Sequence, residues 1–148
     1  KNVELIEQPL KSAQIEKMKE LIKESPIPLI ADENCITFDD IPKLVGLFNG
    51  INIKLMKCGG CDEVLKMIKY AQSLGLKVML GCMVESSIAI TFMSQFSSQA
   101  DYIDLDGNLL IKNDPYDGMK LKDGIPVLNK KYGLGVTLNS IGKGVGLL

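Results

Sequence analysis

The chain has 148 residues, 46% of them hydrophobic and 24% charged, with a formal net charge of −1. That is enough chain for one modest core, with no charge excess to recruit nucleic acid or an anionic membrane surface, and no apolar run approaches the ~20 residues a membrane span needs. Histidine is absent, which excludes Ser-His-Asp and Cys-His nucleophile pairs and zinc sites with imidazole ligands, and leaves acid–base work to Lys, Asp, Glu, Tyr or Cys.

In chain order, residues 3–8 read as a strand ending at Pro9. Residues 10–24 carry helical spacing in Ile15, Met18, Leu21 and Ile22, and Ser25-Pro26 breaks the pattern. A short apolar strand over 28–31 ends at Asp32-Glu33. Thr37 can cap a helix reaching about Leu47, and Asn49-Gly50 would end it. The next strand places Ile51, Ile53 and Leu55 on one face and Asn52, Lys54 and Met56 on the other. It breaks at Gly59-Gly60 into a helix over 60–74 that Gly75 stops. A strand over 77–80, an apolar helix over 86–100 and a strand over 102–105 follow. Beyond Ile111 the pattern fades into turns at Asp114-Pro115, Asp117-Gly118 and Asp123-Gly124, a short strand over 125–128 and a glycine-rich tail.

The order is βαβαβαβαβ with a period near 25 residues, which predicts an α/β fold of parallel strands with covering helices. Charged residues close the strands: Glu7, Asp32, Lys54 and the pair Asp104/Asp106. An ammonium on the inner face of a strand costs free energy unless something nearby needs it. In a (β/α)₈ barrel the active site is built from residues at the carboxyl ends of several strands. A whole barrel takes eight strands and typically ~250 residues. Five strands are visible, so the chain is either an open five-stranded sheet or the later part of a barrel.

Five pieces decide between these: Ile6-Glu7-Gln8-Pro9, Ile30-Ala31-Asp32-Glu33, Ile53-Lys54-Leu55-Met56-Lys57 followed by Gly59-Gly60, Gly81-Cys82-Met83-Val84-Glu85-Ser86, and Asp104-Leu105-Asp106. In that order they resemble the carboxyl-terminal part of the enolase superfamily, in the branch of muconate-lactonizing enzymes, and most closely its dipeptide epimerases. Gly133-Leu134-Gly135-Val136 is similar to the family's closing segment. The resemblance implies about strands 4–8 of a TIM-type barrel over residues 1–124, with residues 125–148 returning to an amino-terminal capping domain.

It also implies roles. Glu7 and Asp32 would be two of three carboxylate ligands for Mg²⁺, Lys54 one of two acid/base lysines at the substrate's α-carbon, and Asp104 and Asp106 the holders of a dipeptide's ammonium group; Glu85 would line the site. The implied reaction removes and returns the proton α to a carboxylate through an enediolate. The Asp-x-Asp favours dipeptide epimerases over lactonizing enzymes; the alternative is another enzyme of the superfamily, such as a muconate cycloisomerase or an o-succinylbenzoate synthase. The family's second lysine, third metal ligand and capping domain all precede the Glu7 strand, so the chain reads as a carboxyl-terminal fragment, inactive alone. Open sheet edges and a bare inner face then lead us to expect a complementary amino-terminal fragment or self-association, and a non-catalytic half-barrel assembly partner is the reading from another class.

Bland readings stand beside these. Lys57 falls past the strand as a solvated or structural cation. Glu7, Asp32 and the neighbouring Glu33 could cap helices, and Asp104 and Asp106 could form a turn before Gly107-Asn108. Cys58-Gly59-Gly60-Cys61 has the spacing of a redox pair or half a zinc site, but Cys35 and Cys82 supply no second pair, and the cysteines read as incidental. Cysteines set among regular elements fit a reducing, cytoplasmic setting.

Overall fold

The computed structural model describes residues 2–144. Five strands, β1 (Ile6–Glu7), β2 (Leu29–Ala31), β3 (Gly50–Lys54), β4 (Lys77–Gly81) and β5 (Tyr102–Ile103), form one sheet in sequence order. β1 runs parallel to β2 with Glu7 opposite Ile30, and β2 runs parallel to β3 with Ala31 opposite Ile51. The described chain divides into two compact units, residues 2–79 with 99–102 and residues 80–98 with 103–144, and the boundary falls inside β4 and β5.

In the first unit every β2 residue is buried, as are Ile51 and Ile53 of β3. Met18 of α1 (Ile15–Glu24), Ile41 and Leu44 of α2 (Ile41–Leu44), and Val64, Met67, Ile68 and Ala71 of α4 (Cys61–Ser73) complete this core. Of the expected apolar positions Ile15, Met18, Leu21 and Ile22 in α1 only Met18 is fully buried, whereas α4 buries a stripe at the helical spacing i, i+3, i+4, i+7. The expected helix over 37–47 is instead a 3₁₀ turn at Phe38–Asp40 followed by α2. Pro42 is the reason, because it has no N–H to donate to the carbonyl of Phe38 and so can only open an α-helix. The Asp40 carboxylate accepts hydrogen bonds from the Ile36 and Thr37 N–H groups, at 3.1 and 3.0 Å, and from Lys43 Nζ at 2.9 Å.

The Thr37 backbone hydrogen bond, reinforced by the Lys43 and Ile36 contacts, outweighs burial and holds the Asp40 carboxyl down at about 2. A folded value below the unfolded one means that its contribution is fully present above pH 3.8 and lost as pH falls toward 2. Asp40→Asn should therefore cost about 1 kcal/mol at neutral pH and far less near pH 2, read from urea melts at the two pH values.

Gly50 does not stop a helix but opens β3. A Cβ there would lie 2.6 Å from the Lys77 carbonyl oxygen and 2.8 Å from both Ile30 Cδ1 and Lys77 Cβ. Backbone cannot yield as a flexible side chain can, so Gly50→Ala is expected to cost about 1–3 kcal/mol in a denaturation midpoint measurement.

In the second unit, α5 (Ser87–Ser94) buries Ala89, Ile90 and Met93. It is shorter than the expected 86–100. Thr91 and Ser94 hydroxyls bond back to the carbonyls of Ser87 and Thr91, and the N–H groups of Gln95 and Phe96 reach only three residues back, which tightens and ends the helix. Its first N–H donates to Asp114 Oδ2 at 2.7 Å. Beyond Asp114, β6 (Tyr116–Asp117) pairs antiparallel with β9 (Thr137–Leu138), and β7 (Lys120–Lys122) forms a hairpin with β8 (Ile125–Val127) across Asp123-Gly124. The glycine-rich segment has regular structure in β9 and α6 (Ser140–Gly144). Residues 145–148 of that segment lie outside the described residues.

Candidate active site

Parallel neighbours bring their carboxyl ends together, and β1, β2 and β3 end at Glu7, at Ala31 just before Asp32, and at Lys54. Lys54 Nζ lies 2.8 Å from Asp32 Oδ2 and 3.7 Å from Glu7 Oε1. The Lys54 and Asp32 side chains are each 13% exposed. Three of the five expected site residues therefore converge, with one ammonium between two carboxylates.

Three further side chains build this cluster. Asn52, on the Lys54 face of β3 and 1% exposed, donates from Nδ2 to Glu7 Oε1 at 2.6 Å. Its nitrogen must face the carboxylate, which leaves Oδ1 buried without a hydrogen-bond partner. Of the two readings of Lys57, a solvated or a structural cation, the structure shows the structural one. β3 ends at Lys54, the short helix α3 (Leu55–Cys58) begins at once, and Lys57 Nζ turns back to Asp32 Oδ1 at 2.6 Å and to the carbonyls of Asp32, Cys35 and Asn52. The same turn takes Met56 off the strand and leaves it exposed. Gln8 has the positive φ of 36°, and its Oε1 accepts from the Asp32 N–H at 2.9 Å and from the Asn34 N–H.

Burial opposes ionisation of Asp32, but hydrogen bonds from Lys54 and Lys57 outweigh it and hold its carboxyl below the usual carboxylate range. Burial likewise opposes the Lys54 ammonium, and the Asp32 hydrogen bond with the charges of Asp32, Glu7 and Glu33 overcomes it, so that Lys54 keeps its proton more tightly than an ordinary lysine. Glu33 itself is exposed and lines a cavity with Gln8, Pro9 and Ser12.

Among the described residues no group of three or more Asp, Glu, Cys or His gathers around one point. Glu7 and Asp32 nevertheless meet on a positive charge, and the idle amide oxygen of Asn52 is buried beside them. Hard oxygen donors of this kind suit Mg²⁺. The cysteines offer a poorer setting. Cys58 is buried, with its thiol against the carbonyls of Leu55 and Gly60, and burial raises its pKa; burial pushes Cys35 to about 12.

In the second unit, Asp104 and Asp106 are both exposed and flank the buried Leu105. They line one cavity with Cys82, Met83, Val84, Gly107 and Leu110. Asp106 precedes a 3₁₀ turn at Gly107–Leu110, but its carboxylate makes no cap hydrogen bond. A Cβ at Gly107 would collide with the Met83 carbonyl oxygen, so the turn is packed directly on the loop after β4. Glu85 is buried; its Oε1 accepts the Met83 N–H at 2.7 Å, and its Oε2 has no hydrogen-bond partner.

The model of the enolase C-terminal domain-like family matches residues 1–141. The chain belongs to that family. Among relatives of this domain, an L-Ala-D/L-Glu epimerase of Bacteroides thetaiotaomicron is 46% identical over 136 residues, covering 92% of this chain and 36% of the relative. An L-Ala-D/L-amino acid epimerase of a Maribacter species is 47% identical over 138 residues, covering 93% and 41%. The crystal structure of a dipeptide epimerase from Enterococcus faecalis superposes with a TM-score of 0.82 at 33% identity, covering 92% of this chain and 42% of that one. The chain thus spans about two-fifths of the length of these relatives. Its five sequential strands are the later part, about strands 4–8, of the enolase-type (β/α)₈ barrel, the class that the strand-end motifs implied. No described helix is long and apolar enough to cross a membrane.

Three residues of the domain's cluster escaped the sequence reading as parts of a site: Asn52, Lys57 and Gln8. Strand alternation put Asn52 on the Lys54 face, and that signal was available. Nothing in the sequence marked the immediate start of α3, which turns Lys57 inward, or the positive φ of Gln8.

Proposed function

We propose that the chain supplies the carboxyl-terminal part of an Mg²⁺-dependent epimerase of dipeptides. The observation that carries this is the convergence of Asp32 and Glu7 on Lys54, within a domain whose relatives are named as epimerases. Glu7 and Asp32 would hold the metal, which supplies Lewis-acid stabilisation of the negative charge that builds on a substrate carboxylate. Lys54 handles the proton at the α-carbon. Its carboxylate surroundings favour the ammonium form, which is the form that returns a proton. Removal of the proton calls for the neutral amine, so the charge facing Lys54 must be reduced before it can act as base.

Asp104 and Asp106 hold the dipeptide's ammonium group, and Glu85 lines the site. The second lysine and the third ligand come from outside these 148 residues. Residues 125–148 return to a capping domain, a reading supported by the exposed apolar side chains of Ile125, Val127 and Leu128. The purified 148-residue chain, incubated with L-Ala-L-Glu and Mg²⁺, is expected to give no epimerised product by chiral chromatography, whereas the same chain joined to an amino-terminal part from a relative is expected to turn over. Turnover by the chain alone, or none after joining, would contradict the proposal.

A further inference from the structure

A lysine that merely ties down a loop would be satisfied by backbone carbonyls. Lys57 has three such acceptors, the carbonyls of Asp32, Cys35 and Asn52, at 2.7, 2.8 and 3.2 Å. Its shortest contact is nevertheless to Asp32 Oδ1, at 2.6 Å. An ammonium has three hydrogens, so the carboxylate takes one that the carbonyls could have used. The Asp32 backbone is fixed on its other side by its N–H, which donates to Gln8 Oε1 at 2.9 Å. With both flanking peptide groups and one carboxylate oxygen held, the Asp32 side chain has a single placement, and only Oδ2 remains to face Lys54.

We propose that Lys57 is a positioning residue: it engages Asp32 Oδ1 so that Asp32 presents one oxygen, Oδ2, to a cation shared with Glu7. This rests on the reading of Asp32 as a metal ligand, and it specifies that Asp32 binds through one oxygen and not two. Charge alone makes the opposite demand, since a second ammonium beside a metal ligand weakens cation binding. Placement of the carboxylate is what compensates.

The test is nuclear magnetic resonance on the full 148-residue chain, first unmodified. Lys57 is expected to give a visible ammonium signal with a hydrogen-bond coupling to Asp32 Cγ, and hydrogen exchange at least about tenfold slower than that of an exposed lysine such as Lys66. An ammonium exchanging as fast as that of Lys66 overturns the proposal without any substitution. In Lys57→Met, the Asp32 Cγ resonance is expected to shift and the Lys54–Asp32 coupling to weaken or vanish. An unchanged Lys54–Asp32 coupling in a folded Lys57→Met chain overturns it. Mn²⁺ added to the chain joined to an amino-terminal part from a relative, which supplies the third ligand, separates the two readings. Broadening of Asp32 and Glu7 supports metal ligation through a placed carboxylate, whereas no broadening with the Lys57–Asp32 coupling intact defeats metal ligation and supports the placement of Asp32 by Lys57.

Discussion

Asp32→Ala is expected to lower the stability of the first unit by about 3 kcal/mol, the lower part of the range for breaking a buried ion pair. The effect is large because one carboxylate serves two ammonium groups, and the Lys54 and Lys57 side chains are 13% and 14% exposed. It stays at the low end because neither cation is wholly abandoned: Lys57 keeps three carbonyls, and Lys54 keeps Glu7 at 3.7 Å. Urea denaturation followed by circular dichroism reads the change, and a loss below about 1 kcal/mol would place the pair among surface ion pairs. The same residue carries a pH signature. Its folded pKa lies below the unfolded value of 3.8, so its stabilisation is complete above that pH and disappears as pH falls through the folded value. Asp32→Asn should therefore flatten the acid limb of the stability profile.

If the proposed function holds, Lys54→Met in the chain joined to its amino-terminal part is expected to lower epimerase turnover by about 10²–10⁴, the range for removing a positioned acid–base group, with little change in melting temperature. Stability is spared because Asp32 retains Lys57 as its counter-charge, and methionine fills the volume of the lysine stem. Chiral chromatography of the product dipeptide together with a thermal melt checks both halves. Retained turnover would remove Lys54 from the chemistry. A collapsed melt alone would show that Lys54 serves the fold.

Much of this was legible in the sequence because strands are short and their ends are punctuated. Glu7, Asp32 and Lys54 each close an apolar run, and parallel pairing of neighbouring strands sets their tips side by side. The Asp-x-Asp spacing likewise led to two carboxylates on one cavity, although β5 stops at Ile103, before the first of them. The failures have local causes. A single proline divided one helix into a 3₁₀ turn and a short α-helix. Gly50 read as a helix stop because glycine signals turns, yet it is needed for close approach of the Lys77 backbone. Lys57 reads as a solvated or structural cation beyond the strand, and of the two it is the structural one, because the chain coils into α3 directly after Lys54 and turns its ammonium onto Asp32.

The distribution of thiols has a practical consequence. Cys35 and Cys58 are buried, Cys82 is partly covered with its sulfur against the Asp104 carbonyl, and Cys61 stands exposed in the first turn of α4. A maleimide fluorophore should attach first at Cys61, and the cluster at Lys54 would keep its native side chains. The protein thus carries its own attachment point for an optical reporter on the first unit, from which unfolding or cation uptake could be followed without engineering a new cysteine.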